Sequence, residues 1–138
     1  MQRISIKAVL LATLAVFGID MVTGLILIKA FNGPAFDATP AEIEAGLAAL
    51  NSNGGYLFAA LIMGTASTVI GGFLTARLAP TLPFYNALMF GVVNLILGLP
   101  FSTGLPTWFR VIAFGLLIPA ALAGAYWSKW ASQSGRRS

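Results

Sequence analysis

Residues 8–28 read AVLLATLAVFGIDMVTGLILI, an apolar run interrupted by a single charged residue, Asp20. At 1.5 Å per residue, a helix over this run is long enough to cross a hydrocarbon core of about 30 Å. The basic residues Arg3 and Lys7 before it are also typical of a signal peptide. The run continues beyond the length of a signal-peptide hydrophobic region, and no small-residue cleavage site follows it. We therefore predict a retained membrane-spanning helix over residues 8–28.

Three further apolar runs follow, each ended by a basic residue, a proline-rich turn or aromatic residues. They cover residues 55–76, 84–99 and 108–127, and the third of these carries Trp108 and Trp127 at its ends, as in an aromatic belt. The expected fold is an all-α membrane protein, a four-helix transmembrane bundle that forms a single membrane domain over residues 1–138.

The composition supports a membrane protein and excludes several function classes. Of the 138 residues, 58% are hydrophobic and 9% are charged, against roughly a quarter charged in soluble domains. The net charge of +4 comes from basic residues that lie singly at the borders of apolar runs, so we predict no nucleic-acid partner. The chain has no Cys and no His, which removes thiol chemistry, His-based triads and nearly every zinc site. We predict no catalytic residues, no cofactor and no metal, and the protein is not expected to be an enzyme.

The stretch from residue 30 to residue 54 is the one long polar segment, and it contains Asp37, Glu42 and Glu44. Thr39 and Glu42 have the spacing of a capping box, with Pro40 at the first helical position. Apolar residues then recur on one helical face. This pattern predicts a short amphipathic helix over residues 40–50, in the first external loop and on the membrane surface or over the end of the bundle.

Basic residues predict the orientation of the chain. Six of them fall at one set of helix ends and two at the other: Arg3, Lys7, Arg77, Lys129, Arg136 and Arg137 against Lys29 and Arg110. Because positive charge is retained on the cytoplasmic side, both termini are expected in the cytoplasm and the acidic loop outside.

Small residues at regular spacing indicate where the helices pack. In the second run they recur every four residues, and in the third they follow a similar spacing on one face. Since lipid provides no hydrophobic reason for helices to associate, such residues favour close packing of the second run against the third. The alternative is a substrate path lined by small side chains. The residues assigned to helix packing are Ala60, Gly64, Thr68, Gly72, Gly91 and Gly98.

Asp20 is the residue most expected to have a function, because an ionised carboxylate inside the bilayer costs several kcal/mol unless it is partnered. Counting along the helices places Thr65 and Asn94 near the same depth, and we expect the Asn94 amide to donate a hydrogen bond to the carboxyl group. These three residues form the candidate polar site. It either fixes helix register or lets Asp20 exchange a proton or cation, and the sequence leaves both open.

One segment also resembles a known group of proteins. The sequence from Gly71 to Ala79, GGFLTARLA, followed by Asn86-Ala87, is similar to the centre of small uncharacterised bacterial membrane proteins with four predicted transmembrane helices. The resemblance implies a multi-pass protein of the bacterial inner membrane and supplies no functional residues.

Two function classes follow from these features. The first is a small accessory, assembly or scaffold subunit that acts through contacts with the lipid bilayer and with another membrane protein or a second copy of itself. The second is a small oligomeric transporter or channel-like protein with Asp20 as its proton or cation coupling site.

Overall fold

The protein is all-α, as predicted. A computed structural model describes residues 3–137, so Met1, Gln2 and Ser138 of the predicted domain lie outside the described residues. Within this range the chain forms five α-helices and one 3-10 turn, over Pro100–Ser102. The helices are α1 (Ile6–Ala30), α2 (Pro40–Asn51), α3 (Gly54–Leu78), α4 (Pro83–Gly98) and α5 (Thr107–Ser134).

Three of these helices, α1, α3 and α5, are long and apolar enough to cross a membrane. They have 25, 25 and 28 residues, and the most apolar window of each is only 17%, 28% and 28% buried within the protein. Most of their apolar side chains therefore face outward, which is the arrangement that a bilayer stabilises and that water does not.

The fourth apolar helix is shorter. Helix α4 begins with Pro83 in its first turn, where a missing N–H costs nothing, and ends at Gly98 after 16 residues. At 1.5 Å per residue its length is about 24 Å. It packs against α1, α3 and α5, so it is an integral part of the bundle.

Side-chain contacts bring four helix ends together. The Ser5 N–H, at the start of α1, donates to Asn86 Oδ1 near the start of α4 at 2.7 Å. Arg77 at the end of α3 donates to Ser132 Oγ of α5 at 3.4 Å, and Lys129 of α5 lies over the ring of Phe84 of α4. We call this the basic end, and the opposite end, which carries α2, the loop end. The four apolar helices alternate in direction between them.

Helices α3 and α5 approach most closely. A Cβ atom added to Gly72 would lie 2.0 Å from the Ala121 carbonyl oxygen, and one added to Gly124 would lie 2.0 Å from the Val69 carbonyl oxygen. Only hydrogen fits at both positions. The second apolar run thus has its tightest contact with the fourth, in addition to the expected contact with the third.

The core of the bundle lies toward the basic end. Phe90 of α4 is fully buried among Val9, Val16 and Ala121, and its ring fills the space that a side chain at Gly71 would need. A second cluster joins Ala76, Ala87 and Ala125.

Helix α2 begins with the capping box that its sequence predicts. The Glu42 N–H donates to Thr39 Oγ1 at 3.4 Å, and the Thr39 N–H and hydroxyl each donate to Glu42 Oε2 at 2.8 Å. These donors hold the pKa of Glu42 below its ordinary value of 4.5. At the other end of α2, Leu50 is buried and lies close to Gly33.

Helix α5 continues past the predicted end at residue 127. Ser128 is buried in the bundle, and no Pro or Gly occurs between residue 127 and Gly135, so the helix extends to Ser134.

Candidate functional site

A cavity of about 610 Å³ occupies the half of the bundle nearer the loop end. It lies between residues 13–20 of α1, 60–68 of α3, 94–98 of α4 and 109–117 of α5, with Phe101 of the 3-10 turn. Side chains fill the other half of the bundle around Phe90, whereas this half is hollow. Its volume is in the range of small-molecule binding sites, roughly 300 to 1,000 Å³.

All three residues of the predicted polar site line this cavity. Asp20, Thr65 and Asn94 come from α1, α3 and α4 respectively, and Thr13 and Thr68 add two further hydroxyl groups. The remaining lining residues are apolar or glycine. A few polar groups in a largely apolar wall are typical of a site that orients a small molecule.

The hydrogen bonds of this site differ from the expected ones. The Asn94 amide donates to the Phe90 carbonyl of its own helix at 2.9 Å and to Thr13 Oγ1 at 3.4 Å. The partner of Asp20 is Ser67, whose hydroxyl donates to Asp20 Oδ1 at 2.5 Å. Asn94 therefore links α4 to α1 without bonding to the carboxylate.

Ser67 is the residue that sequence reasoning missed as a partner. Its side chain is 2% exposed between α1 and α3, and its hydroxyl also lies 2.9 Å from the Gly64 carbonyl oxygen. Counting residues from the helix ends pointed to Thr65 instead. That arithmetic assumes that every helix begins at the same depth and has the same tilt. The available signal was the position of Ser67 beside the small-residue stripe of α3.

The small residues assigned to packing occupy two different environments. Gly72 lies at the crossing with α5, and Gly91 and Gly98 face Ile118 and Phe114 of the same helix. A Cβ atom added to Gly64 would meet no atom within 4 Å. The positions that line the cavity are Ala60, Gly64, Thr68 and Gly98.

The cavity is open on one side. Phe17, Leu97 and Phe101 line it and are 58%, 52% and 79% exposed. These exposed apolar side chains form a rim around the open side of the cavity. Asp20 lines the cavity and is itself exposed.

One charged residue sets the electrostatics of the cavity. Among its lining residues, all within the described part of the chain, Asp20 alone carries a charge when ionised. Ser67 occupies Oδ1, and no other hydrogen bond to the carboxylate is formed by residues 3–137. The second carboxylate oxygen, Oδ2, is free to accept from a ligand. Three aromatic side chains also line the wall, those of Phe17, Phe101 and Phe109, and the face of an aromatic ring attracts cations.

Metal binding by acidic clusters finds no support within residues 3–137. No group of three or more Asp, Glu, His or Cys side chains in this range has the geometry to hold a metal ion.

Comparisons with known proteins do not assign this site. No protein-family model matches the chain, and no significant match was found among curated proteins or solved structures. The candidate site therefore rests on the geometry of this chain.

Proposed function

We propose that this chain is a multi-pass membrane protein in which α4 is the fourth crossing helix. Its length of about 24 Å is shorter than an average hydrocarbon core, and local thinning of the bilayer accommodates such a mismatch at modest cost. The basic end then faces the cytoplasm with both termini, as the positive-inside rule requires. The proposed location is the inner membrane of a bacterium, and the resemblance in residues 71–79 and 86–87 supports it.

Within this membrane the protein binds a small, mainly apolar molecule in the cavity and moves it or a coupled ion across. The observation that carries this proposal is the position of Asp20, the one acid in the largely apolar wall of an open cavity of about 610 Å³. Intramembrane carboxylates are costly, and they mark substrate and ion pathways more often than they serve packing alone. Asp20 would be the coupling site for a proton or a cation.

The chemistry of the wall selects the ligand. Because the cavity has one acid and no basic residue among its lining side chains, an anion is repelled and a cation is attracted. Because most of the wall is apolar, the ligand needs an apolar body to replace water there. A molecule with an apolar portion and one ammonium group, or another strong hydrogen-bond donor, satisfies both conditions.

A pair of probes with the same shape and different charge tests this proposal. Phenyltrimethylammonium and tert-butylbenzene differ by the cationic nitrogen, and the second has no charge for Asp20 to attract. We expect the ammonium probe to raise the Tm of the purified protein, since a ligand that binds only the folded state stabilises it. The Asp20→Asn variant keeps the side-chain shape and an acceptor for Ser67, and it should lose this shift.

The results separate three situations. A shift with the ammonium probe in the wild type alone supports the proposal, and flux of that probe into reconstituted vesicles then tests transport. Equal shifts with both probes would mean that the cavity binds apolar molecules without using the carboxylate. No shift with either would remove small-molecule binding as the function.

An accessory or scaffold subunit is the second candidate. It is favoured by α1, the least buried of the long helices, which exposes Leu10, Leu14 and Met21 on its outer surface. A partner protein, or a second copy that also closes the open side of the cavity, would cover this surface. The native mass and composition of the gently extracted particle test this. A fixed ratio with another protein supports the accessory function, whereas a defined homo-oligomer supports the small transporter.

A further inference from the structure

The hydroxyl group of Ser67 lies between two acceptors but has one proton to donate. Its oxygen is 2.5 Å from Asp20 Oδ1 and 2.9 Å from the Gly64 carbonyl oxygen. A serine hydroxyl donates one hydrogen bond and accepts up to two. Both contacts cannot be full hydrogen bonds from the same proton at one time, so Ser67 has two alternative arrangements.

The protonation state of Asp20 decides between these arrangements. When the carboxylate is ionised, it is the stronger acceptor and takes the Ser67 proton. When Asp20 is protonated on Oδ1, its O–H donates to Ser67 Oγ, and the Ser67 hydroxyl turns to the Gly64 carbonyl. In each case the α1 to α3 contact keeps a hydrogen bond, although the direction of that bond reverses.

We propose that Ser67 is a positioning residue that holds Asp20 at the cavity wall in both of its protonation states. This role of Ser67 rests on the proposed function, in which Asp20 is a coupling carboxylate. Such a carboxylate must gain and lose a proton while the helices stay together. The proton is taken from, and returned to, a water molecule or a ligand that enters the cavity. No bond other than O–H forms or breaks.

Among the side chains around Ser67, Asp20 is the one whose protonation changes, so it controls which hydrogen bond Ser67 makes. The neighbouring polar side chains from α1, α3 and α4 are Thr13, Thr65, Thr68 and Asn94, which do not titrate between pH 4 and pH 9, and the lining residues from α5 are all apolar. The nearest charged residues along α1 itself are Lys7 and Lys29, at its two ends. The burial of Ser67, at 2% exposure, keeps water from replacing its hydroxyl.

Thermal unfolding across pH tests the proposal with the chain alone. In the wild type Asp20 keeps a hydrogen bond to Ser67 in both protonation states, so the wild-type Tm at each pH is the reference for the variants. In Ser67→Ala both forms of Asp20 lose a hydrogen bond, so we expect a Tm below the wild-type value at every pH. The deficit should be larger above the titration of Asp20 than below it, because a hydrogen bond to a charged group is stronger than one between neutral groups. Ser67→Thr restores a hydroxyl and should restore the wild-type profile. Asp20→Asn combined with Ser67→Ala should remove the pH-dependent part, because no carboxylate is left there.

Two outcomes would overturn it. A Tm loss in Ser67→Ala that is the same at every pH would make Ser67 an ordinary packing residue. A pH profile identical to that of the wild type would show that its hydroxyl does not hold Asp20. Neither result depends on probe binding, so failure here is distinguishable from failure of the proposed function.

Discussion

Replacing Gly72 by alanine should loosen the crossing of α3 and α5. The added Cβ would lie 2.0 Å from the Ala121 carbonyl oxygen and 2.7 Å from its carbonyl carbon. Both atoms belong to the backbone of a helix that packs along its length and has no free end nearby, so neither can turn aside as a flexible side chain would. The two helices must move apart instead.

The magnitude follows from this geometry. A carbon to oxygen contact needs about 3.3 Å, so the added Cβ and the Ala121 carbonyl oxygen must move apart by about 1.3 Å. A gap of about 0.5 to 1 Å forfeits roughly a quarter to a half of the dispersion energy of the atoms that face it. Overpacking of this kind costs about 1 to 3 kcal/mol. Alanine is more favourable than glycine in a helix by up to about 1 kcal/mol. We therefore expect the free energy of unfolding to fall by about 1 to 2 kcal/mol in total.

Thermal unfolding of the purified protein in one detergent measures this loss, with Gly64→Ala as the matched control. Gly64 lies in the same helix and on the same small-residue stripe, but a Cβ there meets no atom within 4 Å. We expect the Tm of Gly72→Ala to fall by roughly 3 °C or more and that of Gly64→Ala to stay level or rise. Equal Tm values for the two variants would refute the close approach of α3 and α5 at Gly72.

Two further predictions concern the ends of the bundle. Asn86 is fully buried, accepts from the Ser5 N–H at 2.7 Å and donates to the Leu82 carbonyl at 2.8 Å. Asn86→Ala should therefore lower the free energy of unfolding by about 1 to 3 kcal/mol, which is measured as a lower Tm. An unchanged Tm would contradict the hydrogen bond that links α1 to α4. In α2, the pKa of Glu42 is lowered in the folded state by donors from Thr39, so its stabilising effect is present above pH 4.5 and is lost as the pH falls through the lower, folded-state pKa. The protection factors of amides in the first turn of α2, which correct for the intrinsic pH dependence of exchange, should fall over that range in the wild type and lose this pH dependence in Glu42→Gln. An unchanged dependence in the variant would assign it to another group.

Much of the secondary structure could be predicted because its causes are local. Apolar runs bounded by basic residues and prolines identified α1, α3, α4 and α5, and the capping box at Thr39 identified α2. The ends were less accurate. The helix expected to stop at residue 127 continues to Ser134 because Ser128 packs inside the bundle, a contact that the local pattern does not contain.

The sequence grouped Asp20, Thr65 and Asn94, which all line the cavity, but it did not predict their hydrogen bonds. A lone acid in an apolar run draws attention wherever it occurs, and simple counting placed Thr65 and Asn94 at a similar depth. Hydrogen-bond partners depend on helix rotation and tilt to within about 1 Å, since such bonds need heavy-atom distances near 3 Å. Sequence spacing does not have that resolution, and Ser67 rather than Asn94 became the partner of Asp20.

The sequence by itself determined that the chain has helices apolar enough for a membrane, the number and approximate limits of those helices, and the presence of one acid within an apolar run. Each of these depends on the chemistry of consecutive residues. The tertiary structure alone decided which helices touch. Gly72 and Gly64 belong to one regular stripe, yet one meets the backbone of α5 and the other faces a cavity. The difference arises because Phe90 and its neighbours fill the bundle toward the basic end, whereas the side chains toward the loop end line a cavity and leave its centre open.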